Sequence, residues 1–164
     1  ALFAGGFYSS GGYGRQYVYA YNKSLTRSMA TELPAKIGQM GGATAGEHAL
    51  FAGGSTASGM GSHRDTVYAY SVSLTQSNVT PLSVSRQDPL GVSLGEFALF
   101  GGGYYSGAGS NVVDVYDKSL TRTNPTGLAN STRRMGATSV GKYALFGGGE
   151  HVSFFNAVTA YKLI

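Results

Sequence analysis

Cysteine and tryptophan are both missing from the 164 residues, and only four prolines occur. Without Cys, disulfides, thiolate nucleophiles and thiolate metal ligands are excluded, and the redox compartment stays open. Charge is also scarce: 12 Lys and Arg against 8 Asp and Glu, a net charge of +4. These charges are scattered, and no Lys/Arg run of the kind that tracks phosphates appears, so nucleic acid is not an expected partner. No apolar stretch approaches the roughly 18 residues of a membrane span, so membrane insertion is not expected either. No signal-peptide pattern is present. The chain opens on Ala1 inside a repeat, which reads as an incomplete or processed polypeptide.

What the chain has in quantity is glycine, 26 residues, together with Tyr, Phe, Val and Thr. With 42% hydrophobic residues and no collagen-like period, that composition points to a turn-rich, all-β protein. Its organising signal is Ala-Leu-Phe followed by glycines, at Ala1 to Gly6, Ala49 to Gly54, Ala98 to Gly103 and Ala144 to Gly149. The starts are 48, 49 and 46 residues apart. A fixed period of this size marks stacked supersecondary units.

Each unit carries three further signals. Downstream lies a strand ending in Tyr: Val18 to Tyr21, Val67 to Tyr70, Val113 to Tyr116 and Val158 to Tyr161. Polar bridges follow three of these (Asn22-Lys23, Ser71-Val72, Asp117-Lys118) and read as tight hairpin turns leading through Ser-Leu-Thr into an outer strand. Upstream of three glycine runs lie strands of small residues at Gly41 to Ala45, Gly91 to Leu94 and Gly136 to Val140, each closed by a Gly-X turn. Small side chains suit an innermost strand, where neighbouring sheets converge. One unit is thus four short antiparallel strands, and its two faces require stacked neighbours.

Recurrence of the Gly pair or triplet after the second strand and of Tyr closing the third, with Arg134-Met135-Gly136-Ala137 leading to Gly141-Lys142-Tyr143, resembles the kelch-repeat β-propeller family. The resemblance covers nearly the whole chain. It implies one domain over 1–164, an all-β propeller of four-stranded antiparallel blades at about 1–34, 35–82, 83–128 and 129–164. The outer-strand Trp of the family is absent, and Thr26-Arg27-Ser28 or Thr121-Arg122-Thr123 occupies that region. The inner-strand Arg is replaced near Lys36, and Arg86 sits about two residues upstream of the place Arg134 holds. The expected strand count is three, four, four and three, with both end blades incomplete. A compact four-bladed ring, a segment of a longer propeller, or an arc closed by a second copy remain open, the last two preferred.

Chemistry is hard to assemble from these residues. His48, His63 and His151 lack metal-ligand spacing, and no cofactor is implied. Glu47 and Glu96 sit in a turn position and read as solvated. The glycine runs precede strands, not helices, so they are no phosphate loop; glycine there permits positive φ where a strand ends. No enzymatic activity is expected. The informative variation lies in the loops after the second strand, which differ in length and content over a repeated frame. These loops share a face with the connections between units, which carry Lys36, Arg86, Arg133 and Arg134. The expected function is a non-enzymatic binding module for a protein or glycan. Its loop face would comprise Tyr8, Tyr13, Arg15, His63, Arg64, Arg86, Tyr104, Tyr105, Arg134, His151 and Phe154. Tyr8, Tyr13, Tyr104 and Tyr105 are the candidates for stacking a sugar, and Arg15, Arg64, Arg86 and Arg134 for pairing acidic peptide groups. The alternatives are a structural repeat that self-associates through unpaired blades, and a fragment of a glycan-active enzyme. Abundant Ser, Thr, Asn and Gly lean the location towards a bacterial or viral surface.

Overall fold

The computed structural model describes residues 1–7, 14–56 and 62–163. Its described residues are all-β, without helices, arranged as a series of small antiparallel sheets. The first sheet pairs β1 (Leu2–Ala4), β2 (Val18–Tyr21) and β3 (Arg27–Met29). The second runs in order β4 (Gly41–Ala45), β5 (His48–Ala52), β6 (Val67–Tyr70) and β7 (Gln76–Val79). The third comprises β8 (Leu90–Leu94), β9 (Phe97–Gly101), β12 (Val113–Tyr116) and β13 (Arg122–Thr123). The fourth comprises β14 (Gly136–Val140), β15 (Tyr143–Gly147) and β16 (Val158–Lys162). The strand counts are therefore three, four, four and three. The small-residue strands β4, β8 and β14 lie against one another, as convergence requires. At Gly91 a Cβ would collide with the backbone of Gly42 in the next sheet, so this approach needs glycine.

Packing between sheets repeats as faithfully as the sequence. Alternation along the strands puts Phe and Tyr on one face of each sheet and smaller aliphatic residues on the other. Phe51–Tyr70, Phe100–Tyr116 and Phe146–Tyr161 form edge-to-face pairs with centroids 5.9, 6.0 and 6.0 Å apart. Each pair joins one core cluster with the aliphatic face of the preceding sheet: Leu2, Ala4 and Val18 for the first, Leu50, Ala52, Val67 and Ala69 for the second. For the third pair the face is Leu99, Val113 and Val115. Gly101 completes it, since a Cβ there would lie 2.8 Å from the Phe146 ring. Each tyrosine also donates its hydroxyl to a carbonyl of the preceding unit: Tyr70 to Thr31 at 2.9 Å, Tyr116 to Thr80 at 2.8 Å and Tyr161 to Thr126 at 2.7 Å.

Two local structures differ from the sequence expectation. The hairpins between third and fourth strands are five-residue loops, because Ser-Leu-Thr belongs to the turn and not to the outer strand. Asn22 Oδ1 accepts from the amides of Ser24 and Thr26, and Asp117 Oδ1 does the same for Ser119 and Thr121. Leu25, Leu74 and Leu120 follow with φ of 60, 62 and 62°, a left-handed conformation costly for Leu. Leu74 and Leu120 turn their side chains onto the neighbouring cores, which offsets that cost. The second difference is a small hairpin, β10 (Tyr104–Tyr105) with β11 (Ala108–Gly109), within what reads in sequence as plain loop. Ser106 and Gly107 both have positive φ, the mark of a tight two-residue turn matched to strand twist.

Candidate functional site

The glycine pair closing each second strand turns the chain out of its sheet with both residues at positive φ, for example Gly102 at 63° and Gly103 at 101°. The loop that follows then pairs with the connection entering its own unit. Tyr104 exchanges backbone hydrogen bonds with Gln87 at 2.8 and 3.1 Å, and Arg133 with Glu150 at 3.0 Å each way. Bridges Gly38↔Ser55 and Ser110↔Thr132 extend the same weave. Second-to-third-strand loops and inter-unit connections therefore form one continuous face, held by backbone hydrogen bonds and not only by side chains.

On this face a cavity of about 480 Å³ opens where the second, third and fourth units meet. Gln39, Asp88 and Arg134 rim it, with Met40, Pro89 and Met135 beneath. The three rim residues occupy the same register position in successive units, each two residues before an inner strand. All three have positive φ, at 58, 52 and 55°. Asp tolerates this left-handed conformation, whereas it is costly for Gln and Arg. Gln39 Nε2 donates to Asp88 Oδ2 at 2.9 Å. Burial pushes the Asp88 carboxyl above its ordinary value, opposed by nearby Arg134, the Gln39 hydrogen bond and Arg133. Arg134 pairs with Glu150 at 2.7 Å, and Arg133 approaches the same carboxylate at 3.5 Å.

The same face carries an aromatic cluster. The Arg133 guanidinium lies 4.9 Å from the Tyr104 ring centroid, and His63 meets that ring edge-on at 5.6 Å and Tyr105 at 6.1 Å. His151 Nδ1 accepts from the Gly109 amide at 3.2 Å, tying the fourth unit's loop to the β10–β11 hairpin. Backbone geometry permits this arrangement to present hydrogen-bond donors, one carboxylate and an exposed phenol ring to a ligand. Among the described residues, no three His, Asp or Glu side chains converge in a way that would hold a metal ion.

The expected site residues divide accordingly. His63, Tyr105, Arg134 and His151 lie together on this face. Arg15 and Arg64 occupy matching loop positions in the first two units, where Arg15 stacks its guanidinium 5.9 Å from the Tyr17 ring. Phe154 is exposed in the fourth loop. Tyr8 and Tyr13 lie outside the described residues. Two expectations require correction. Arg86 has no exposed surface: it pairs with Asp114 at 2.8 Å and donates to the carbonyls of Val84 and Phe100, so it cannot meet a ligand's acidic groups. In register it replaces buried Ile37 and Thr132, which explains its direction. Tyr104 is only 4% exposed, its ring enclosed by Arg133 and His63, and is no stacking platform. Sequence reasoning missed Gln39, Asp88 and Glu150. The first two were accessible from register, through their shared spacing to Gly41, Leu90 and Gly136 with Arg134.

Comparison with known proteins returns structure without sequence. No protein-family model matches the chain, and no curated protein matches it. Among solved structures, that of YjhT resembles it with a TM-score of 0.70 over 90% of this chain, at 14% sequence identity. The chain spans about half the length of YjhT, 48% of that chain. At this identity the likeness concerns the fold alone. No helix among the described residues is long and apolar enough to cross a membrane.

Proposed function

We propose that the chain forms four stacked blades of a kelch-like β-propeller, and that it works as a non-enzymatic binding module for a protein or glycan ligand. The observation that carries this reading is the cavity rimmed by Gln39, Asp88 and Arg134, on the face where loops vary over a repeated frame and which also carries Tyr105 against His63. Shallow polar cavities with a few convergent groups and an adjacent aromatic surface suit ligands that offer hydroxyls or amides together with an apolar face. Asp88 accepts hydrogen bonds from hydroxyl or amide donors, Gln39 and Arg134 donate, and Tyr105, 45% exposed, supplies the platform.

Screening the chain against a polysaccharide-fragment array and a peptide-display library tests this and separates the two ligand classes. Binding to members of one class, reduced at least tenfold by both Asp88→Ala and Tyr105→Ser, is the expected result. Hits that neither substitution weakens would place binding elsewhere, and no hit in either library would count against the reading.

A further inference from the structure

The repeated frame gives a connection no means of telling one unit from the next. Leu33, Leu82 and Leu128 hold the same place in successive connections, all buried, and each donates its amide to the chain leading into the preceding third strand. The residues around them differ, and they differ in step with the sheet that each connection crosses. In the third strands, Tyr68, Asp114 and Thr159 stand opposite Phe51, Phe100 and Phe146, at one register position. Just after the leucines, Pro34, Ser83 and Ala129 share another. The Ser83 amide donates to Asp114 Oδ1 at 3.0 Å, and the Ala129 amide to Thr159 Oγ1 at 3.1 Å. Where the sheet has the aromatic Tyr68, the connection has Pro34, which carries no N–H to satisfy. The match recurs at the next buried position of the connection. Ile37 joins Leu33 in the apolar cluster of Tyr68, whereas Arg86 pairs with Asp114 at 2.8 Å.

We propose that this correspondence is a register lock, by which each connection recognises the sheet of its own unit and rejects the equivalent sheet next to it. Docked one unit early, on Tyr68, Arg86 would bury its guanidinium with no carboxylate to pair, and Ser83 would lose its acceptor. Docked one unit late, on Asp114, Ile37 and Pro34 would leave that buried carboxylate without the guanidinium and the amide that satisfy it. A buried charge left unpaired is strongly unfavourable, whereas apolar residues in place of a satisfied ion pair are often as stable or more so. The pair therefore contributes selection more than strength. Near-identical repeats need such selection, because docking onto the wrong copy, within one chain or between chains, is a characteristic failure of repeat proteins. Single polar residues at buried positions fix register in coiled coils by the same physics. The order so enforced brings Gln39, Asp88 and Arg134, from three successive connections, to one cavity. The lock does not depend on what that cavity binds.

Refolding of the 164-residue chain from urea, followed by size-exclusion chromatography and backbone amide spectra, provides the test. Arg86→Ile with Asp114→Tyr gives the third unit the residues of the second. This double variant should keep a urea midpoint no lower than the wild type. The fraction recovered as one monomeric species should nevertheless fall about twofold or more, with swapped oligomers or a second set of amide signals taking up the rest. Arg86→Met with Asp114→Leu removes the same match with smaller side chains and should behave alike. Tyr104→Ser, which weakens the fold without touching the match, should refold to one species. Double variants that refold as uniformly as the wild type overturn the lock. Equal heterogeneity in Tyr104→Ser also overturns it, because mixed products would then follow from instability alone. A midpoint well below the wild type in both double variants does so too, since the pair would then hold the join rather than choose it.

Discussion

Arg86 and Asp114 show how one buried pair fixes the join between the second and third units. Both side chains are fully buried, and Asp114 also accepts from the Ser83 amide at 3.0 Å and Asn124 Nδ2 at 2.7 Å. Burial pushes the Arg86 guanidinium below its ordinary value, with Asp114 opposing that shift. Removing one member of such a pair strands the other, at a cost of about 3–5 kcal/mol. Asp114→Ala should therefore lower the denaturation midpoint sharply. Arg86→Met should cost less, because Asp114 keeps Asn124 and the Ser83 amide. Equal effects in chemical denaturation would contradict this account of the pair. The two adjacent tyrosines separate similarly: Tyr104→Ser empties an enclosed site and should cost about 3 kcal/mol or more, while Tyr105→Ser, at the surface, should change stability by about 0.5 kcal/mol or less. Neither fate is legible from sequence. Arg86 and Arg134 look alike there, and only the weave of loop and connection decides that one faces inward. Tyr104 is buried and Tyr105 exposed although both rings meet His63, a difference that follows only once the β10–β11 hairpin is recognised.

The main strands were the most legible level. Ala-Leu-Phe, Val-x-x-Tyr and the small-residue strands recur with a period that leaves little freedom in their pairing, and β4, β8 and β14 lie where small residues place them. The five-residue turns were hidden because the cap is an Asn or Asp side chain and the strained residue is Leu, which no propensity rule puts at positive φ. Two predictions belong to this scale. Gly101→Ala puts a methyl against the Phe146 ring and should destabilise by about 1–3 kcal/mol, whereas Gly147→Ala, in the open counterpart, should be far milder; thermal midpoints of the two variants compare them directly. Burial pushes the Tyr70 hydroxyl up to about 12, with Tyr68 adding to the shift, and burial also raises Tyr116 and Tyr161. The folded chain thus holds the neutral phenol more tightly than the unfolded chain, whose value is about 10. The stability this gives is complete below pH of about 10 and is lost as pH climbs towards 12. Denaturant midpoints across that alkaline window should fall, and Tyr70→Phe should flatten the fall while lowering the midpoint at neutral pH.

For the whole molecule, repetition and variation occupy different places. The stacking face of every unit uses the same Phe, Tyr, Leu and Val, so the frame is rigid by redundancy; the loops above it share almost no residues. A frame of this kind holds Gln39, Asp88 and Arg134 from three units around one cavity, a convergence that linear sequence disguises because the residues are 49 and 46 positions apart. The opposite end carries the Gly46-Glu47 and Asn22–Thr26 type turns, which repeat like the frame. Backbone amide shifts of the labelled chain, followed while a screened glycan or peptide hit is titrated in, test this division most directly. The account predicts that shifts concentrate at Gln39, Asp88, Tyr105 and Arg134, leaving Gly46, Glu96 and Asn22 unmoved. Shifts centred on those turns, or spread evenly over the sheets, would contradict it.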